Sequence, residues 1–357
     1  MRHHVTALES GGLNRRLTLA PGAAPWQEWS WSTWGLIFLV LLVLPVFVNS
    51  SYVLHTAVSF FIWAVVNEMW NLVMGYGGIP SFGQLALFGV GGYASGMLAV
   101  YAHVNPWITM PVGALVAGVV GLLLGLPVLR LRGVYVVLLT LAFHQIIYLT
   151  IVTDDTKITG GGFGLRVPSL GLDRLGPEHE LMAYYWVALV LFAVSTYSIF
   201  RVVNSRVGLA FKALRDSEAY AVSRGISPFR YKLLLFFISA VFTGLAGAFY
   251  GHYLKVMAPG MLSFAQMTNL LAMLVIGGWG SFGGPIVGTL LLTVLNELLK
   301  DVDRFRLLLL GAAMVLFVVT MPRGVVPTMT DVFKLWFGPK EETKEEVSGS
   351  DSEEAGA

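Results

Sequence analysis

The sequence predicts an all-α, polytopic integral membrane protein with about 8–10 transmembrane helices and two glycine-interrupted repeats. Three observations carry this. Hydrophobic residues fill 56% of 357 positions, charged residues only 12%, and the mean hydropathy is +0.72. A soluble domain carries about 25% charged residues. The apolar residues also gather into runs near the length of about 20 that a helix needs to cross the hydrocarbon core. Finally, the pattern G-G-x-x-S-F-G occurs twice, as Gly77-Gly78-Ile79-Pro80-Ser81-Phe82-Gly83 and as Gly277-Gly278-Trp279-Gly280-Ser281-Phe282-Gly283.

Residues 1–32 read as a polar N-terminal arm rather than a signal peptide. The polar stretch is long, Arg15 and Arg16 stand well before the first apolar run, and no small-residue cleavage site follows that run. Trp26, Trp29, Trp31 and Trp34 make an interfacial belt, where indole rings favour the headgroup region. A transmembrane domain over 33–337 then holds candidate spans at 34–48, 53–74, 82–101, 107–129, 133–152, 182–200, 231–253, 263–276, 285–299 and 305–321. The large basic loop 204–232 belongs in the cytoplasm, because loops rich in Lys and Arg resist translocation. Ten spans with both termini cytoplasmic place Arg130 and Arg132 on that same side. The loop 153–181, with Asp154, Asp155, Asp173, Glu178 and Glu180, then falls outside. Lys300, Arg304 and Arg306 also land outside, partly offset by Asp301 and Asp303, and since several spans are short or glycine-broken, eight or nine also fit. Residues 338–357, rich in Glu, Ser and Gly, read as a disordered acidic tail.

Several function classes are disfavoured. A net charge of +2, with its basic residues in loops, gives no footprint for nucleic acid. There is no cysteine, hence no disulfide, thiolate metal site or cysteine nucleophile. The seven histidines form no H-E-x-x-H, and the glycines of 160–164 lack the G-K-[ST] of a phosphate loop. We therefore expect no catalytic residues, no metal and no cofactor, with energy supplied by a separate subunit.

Polar residues inside the spans are the candidates for a translocation path. Asn67, Glu68 and Asn71 fall on one helical face of an otherwise apolar span. A carboxylate at bilayer depth costs about 2.5–3.5 kcal/mol on insertion scales, so Glu68 should face a path, pair with a cation or sit near an interface. His144 beside Gln145 is a second candidate, either lining the path or hydrogen-bonded to a neighbouring helix. Gln266, Thr268 and Asn269 form a third cluster before the second glycine node. Ser81, Gln84 and Ser281 join them, because matched glycine breaks in two halves point to a transporter's central path. Close packing through small residues explains the same glycines, and both readings stay open. Within the basic loop, a helix over 210–221 places Leu214, Ser217 and Ala221 on one face, ringed by Lys212, Arg215, Asp216 and Glu218. Such a helix docks in a partner's groove or lies on anionic lipid.

Five motifs in order give a resemblance over about 64–324. Gly75-Tyr76-Gly77-Gly78-Ile79-Pro80-Ser81-Phe82-Gly83 with Gly91-Gly92-Tyr93 opens the series. Arg132-Gly133-Val134-Tyr135 with Thr140-Leu141-Ala142-Phe143 follows, then Thr159-Gly160-Gly161-Gly162-Phe163-Gly164-Leu165. Next come Arg215, Glu218, Ala221 and Gly225 of the basic loop, and last Gly277-Gly278-Trp279-Gly280-Ser281 with Gly284, Pro285 and Gly288. The chain resembles the M-type permease subunits of branched-chain amino acid (Liv-type) ABC importers. The resemblance implies a multi-pass protein of the plasma (inner) membrane that forms the path and couples it to ATP hydrolysis elsewhere. Its implied partners are a second homologous permease, two cytosolic ATPase subunits, an extracytoplasmic substrate-binding protein and membrane lipid. It also implies ATPase coupling by Gly208, Ala213, Arg215, Asp216, Glu218, Ala221 and Gly225, with Arg215 and Glu218 pairing at the rim of the ATPase groove. Gln84 stands where the family usually has His, and Arg224 where it has an apolar residue, so the substrate alternatives include urea and short amides. An ion-coupled secondary transporter is the rival from another class, with Glu68 as its one acidic site, and a membrane-embedded enzyme lacks any grouping to support it.

Overall fold

The computed structural model describes residues 50–154, 158–299, 306–321 and 324–329, together with residues 38, 41–43 and 45. The polar arm over 1–32, the tryptophan belt, most of the span at 34–48, Asp155, the charges at 300–304 and the tail over 338–357 lie outside the described residues.

Eleven helices follow one another among the described residues. They are α1 (Ser51–Asn71), α2 (Gln84–Tyr101), α3 (Pro106–Val128), α4 (Val134–Val152), α5 (Pro177–Val203), α6 (Arg206–Asp216), α7 (Glu218–Ser223), α8 (Pro228–Leu254), α9 (Phe264–Gly277), α10 (Gly284–Leu298) and α11 (Arg306–Thr320). A π-helical turn, Leu72–Tyr76, extends α1 into the first glycine node. The expected spans from 53–74 onward match these helices closely, because long apolar runs leave the backbone no partner in lipid but itself. Five segments are long and apolar enough to cross a membrane: Ser51–Tyr76, Pro106–Val128, Val134–Val152, His179–Val203 and Pro228–Leu254. Helices α9 and α10 have 14 and 15 residues. At 1.5 Å per residue each reaches only about 21–23 Å, short of a hydrocarbon core of about 30 Å.

Helix α1 lies at the centre, against α5, α8, α9 and α10, while α2, α3 and α8 pack on one another. The second group approaches closely through small residues. A Cβ on Gly91 would lie 2.3 Å from the Gly244 Cα, and one on Gly247 would lie 2.0 Å from the Phe88 carbonyl oxygen. Such contacts replace the hydrophobic drive that is absent between helices in lipid. The all-α prediction holds apart from a two-residue antiparallel ladder, β1 (Leu165–Arg166) with β2 (Val256–Met257). On α3 and α4 the apolar side chains of Leu115, Val119, Leu123, Leu138 and Ile146 stay exposed, as a surface in contact with lipid requires.

The loops sort to two ends of the bundle. At one end, Arg130 and Leu131 share a cleft with Glu218, Phe229 and Lys232. At the other, Tyr101 donates to the Ile158 carbonyl at 2.9 Å and the Trp107 indole to the Leu170 carbonyl at 3.1 Å. Segments 204–227 and 158–176 therefore lie at opposite ends, as the loop charges predict. After α11 the chain returns to the first end, where a Cβ on Gly324 would lie 2.2 Å from the Gly278 Cα.

Candidate functional site

The basic loop folds into two short helices, not the single helix expected over 210–221. Ser205 caps α6 by accepting from the Val207 amide at 3.2 Å, and Ser217 caps α7 by accepting from the Tyr220 amide at 3.3 Å. Ser217 is extended, with φ −158° and ψ 105°, so the helix breaks there and Ser217 leaves the face that Leu214 and Ala221 share. The cause is local: serine competes for backbone hydrogen bonds and favours a cap over a helix interior. Helix α7 ends in a Schellman motif, with the Ile226 amide on the Ala221 carbonyl at 3.1 Å and the Gly225 amide on the Val222 carbonyl at 2.9 Å. Gly225 has φ +81° there, which a residue with Cβ adopts at a cost.

The expected coupling residues divide by direction. Phe211, Leu214 and Ala221 are buried, and Gly208 lies so close to α5 that a Cβ would sit 2.2 Å from the Val203 carbonyl oxygen. Ala213 is half-buried and Asp216 exposed. Glu218 pairs with Lys232 of α8 at 3.1 Å. Leu209, Tyr220 and Val222 remain exposed, as does Phe229 at the start of α8. Arg215, expected at the rim of a partner's groove, is partly exposed and also reaches inward. Its Nε meets Asp216 at 3.0 Å, and its Nη1 donates to the Gly75 carbonyl of the first node at 3.0 Å. One turn earlier, Lys212 stands over the Tyr76 ring at 5.7 Å. Its ammonium has a lowered pKa, through burial first and then the neighbouring Arg215 charge, with Asp216 opposing.

The two glycine nodes meet at this same end. Asn71 receives the Gly280 amide on Oδ1 at 2.7 Å and donates from Nδ2 to the Ser281 carbonyl at 2.8 Å. Gly78 and Gly278, equivalent in the repeat, both have positive φ, at +65° and +101°. The node serines serve their own loops. Ser281 Oγ donates to the Gly278 carbonyl at 2.7 Å, and the buried Ser81 Oγ accepts from the Gly83 amide at 3.4 Å, while the Ser81 carbonyl accepts from the Trp70 indole at 2.6 Å.

Residues 67, 68 and 71 do not act as one face. Asn67 reaches Thr289 of α10 at 2.8 Å, whereas Glu68 turns to α5 and accepts from Ser195 at 2.9 Å and Thr196 at 2.7 Å. Gln84 donates to Thr243 of α8. His144 is buried against the backbone of Leu262, with Nδ1 left without a partner. Gln266 and Asn269 are half-buried on one face of α9, and Gln145 is exposed in the middle of α4.

At the far end lie two clusters that no sequence motif announces. His252 is fully buried, its Nδ1 on the Pro168 carbonyl at 2.7 Å and its Nε2 by Ser95 at 2.9 Å, which ties α8 and α2 to the loop after α4. Lys255 holds Asp173 at 2.8 Å and Glu180 at 3.0 Å. The Lys255 contact comes first and Ser169 second in pulling the Asp173 carboxyl down to about 2, and the same pairing raises Lys255. Both belong to residues far apart in the chain, so no local spacing announces them.

A bundle of apolar helices with paired glycine nodes is the body of a multi-pass membrane protein, and its family makes it a transport subunit and not itself an enzyme. Residues 52–318 match the family described as branched-chain amino acid transport system / permease component, and the chain belongs to that family. It is 33% identical to the high-affinity branched-chain amino acid transport system permease protein LivM of Escherichia coli (strain K12), over 84% of this chain and 76% of that one. A probable branched-chain amino acid transport permease protein LivM of Methanocaldococcus jannaschii is 24% identical over 75% of this chain and 91% of its own. The LivH permease of Salmonella typhimurium is 26% identical over 74% and 91%. No solved structure matches the chain.

Proposed function

We propose that the chain is one permease of an ABC importer for branched-chain amino acids, working with a second homologous permease, two cytosolic ATPases and an extracytoplasmic binding protein. The observation that carries this reading is the two-helix element α6–α7. It offers Leu209, Tyr220 and Val222 outward while packing Phe211, Leu214 and Ala221 inward. Apolar side chains exposed on a basic loop fit an ATPase groove better than water. The end bearing this element is cytoplasmic, the C-terminus returns to that side, and the membrane is the plasma (inner) membrane. The outer loop 153–181, where Phe163 is 98% exposed, receives the binding protein. The path runs beside the face of α9 that carries Gln266 and Asn269, because half-buried polar side chains at membrane depth require water or protein beside them. Glu68, occupied by two hydroxyls from α5, offers a coupling ion no open site.

The test is co-purification of the ATPases with Leu209→Asp and Tyr220→Asp variants. Loss of the ATPases, with unchanged insertion of the permease, is expected. Full retention by both variants overturns this placement of the docking surface.

A further inference from the structure

Arg215 sits in the last turn of α6 with its side chain 37% exposed, on the element proposed to meet the ATPase. A free guanidinium there gains most by facing solvent or a partner's carboxylate. It turns inward instead and donates to the Gly75 carbonyl at 3.0 Å. That carbonyl belongs to the final turn of the α1 rod, where helix carbonyls run out of amide partners and a cation is favoured.

The surrounding glycines make room for this contact. A Cβ on Gly78 would lie 2.4 Å from the Arg215 Cγ, so any side chain there drives the arginine stem away. On the other side, a Cβ on Gly280 would be 3.7 Å from the Gly75 oxygen and 3.9 Å from the Arg215 Nη1. A Cβ on Gly75 would strike the Gly280 amide at 2.4 Å. One guanidinium thus lies against node one directly and beside node two, and Asn71 bonds the two nodes together. Lys212 over Tyr76 gives α6 a second hold on the same π turn.

We propose that Arg215 is a positioning residue that fastens the coupling element to both glycine nodes, so that displacement of α6 at the ATPase reaches the two repeats together. The contact transmits motion and does not itself bind the ATPase. This rests on the reading of α6–α7 as the coupling element, and it gives a reason for the arginine beyond charge. A lysine at 215 keeps the cation but loses the planar fork that holds a carbonyl and Asp216 at once.

The experiment uses the whole transporter reconstituted with its ATPases and binding protein, and reads ATPase co-purification, hydrolysis stimulated by loaded binding protein, and uptake per assembled complex. For Arg215→Gln, co-purification within twofold of wild type is expected, with stimulation and uptake falling roughly tenfold, the scale of a lost charge-assisted hydrogen bond. Arg215→Lys should recover only part. Gly78→Ala keeps the arginine in the chain but displaces its stem and should reproduce the uncoupling, and in an Arg215→Ala background it should cause little further loss, because both act through one contact. Loss of the ATPase in Arg215→Gln would make the residue a docking contact and overturn the proposal. Unchanged stimulation with the ATPase bound would overturn it while leaving the coupling element intact. Additive losses from Gly78→Ala and Arg215→Ala would overturn it too. Failure of wild-type chain to bind any ATPase would overturn both readings.

Discussion

Replacing Asn71 by leucine, which keeps the branched outline of the side chain, removes the amide that joins the two repeats. The Gly280 amide and the Ser281 carbonyl then lose partners at 2.7 and 2.8 Å. A buried group left unpaired costs about 1–3 kcal/mol. Both bonds are part-buried, so each loss sits near the lower end of that range, for a sum of about 2–3 kcal/mol. At roughly 2 °C per kcal/mol for a chain of this size, the melting temperature should fall by about 4–6 °C. The ten tryptophans make intrinsic fluorescence of purified protein in detergent a direct readout. Asn269→Leu, half-buried on α9 and outside this network, is the control and should shift little. An Asn71→Leu variant that melts within a degree of wild type would refute the claim that this amide holds the nodes together.

Three further outcomes are expected. Gln266→Leu and Asn269→Leu should lower uptake per folded transporter, while Ser81→Val and Ser281→Val, whose hydroxyls serve their own loops, should lower folded yield more than uptake; the reverse pattern in substrate accumulation assays would move the path to the nodes. The Asp173 carboxyl is depressed to about 2, so its pairing with Lys255 is in force above the unfolded carboxylate range near about 3.9 and fades as pH falls through about 2. Wild type should therefore outlast Asp173→Asn in thermal melts at pH 7, with the gap closing below pH of about 4, and a gap independent of pH would contradict this. Phe163→Cys and Ala219→Cys, introduced into a cysteine-free chain, should react with an impermeant thiol reagent from opposite sides of the membrane, and labelling from one side would overturn the orientation.

The helices were legible because lipid enforces a simple rule: an apolar run must satisfy its own backbone, so hydropathy marks α3 and α4 to within a residue and α1, α5 and α8 to within five. The repeat of the nodes was equally plain, since glycine at 78 and 278 answers a backbone need that few residues meet. What the residues do across the bundle was not legible. Neighbours on α1 diverge, Asn67 toward α10 and Glu68 toward α5, and a helical wheel does not say which helix stands opposite. Ser217 looked like a member of a helical face because its spacing fits, yet its cap chemistry prevailed over periodicity. Arg215 was expected at the rim of a partner's groove. Its turn toward Gly75 depends on a carbonyl 140 residues away, which no local pattern encodes.

The measurement closest to the central claim is uptake of labelled leucine into proteoliposomes holding this chain, its second permease, the ATPases and the binding protein. The account expects accumulation that requires internal ATP on the ATPase side, is blocked by excess isoleucine or valine, and survives ionophores that collapse ion gradients. Accumulation driven by an ion gradient without ATP, or transport of urea or acetamide in place of leucine, would contradict it.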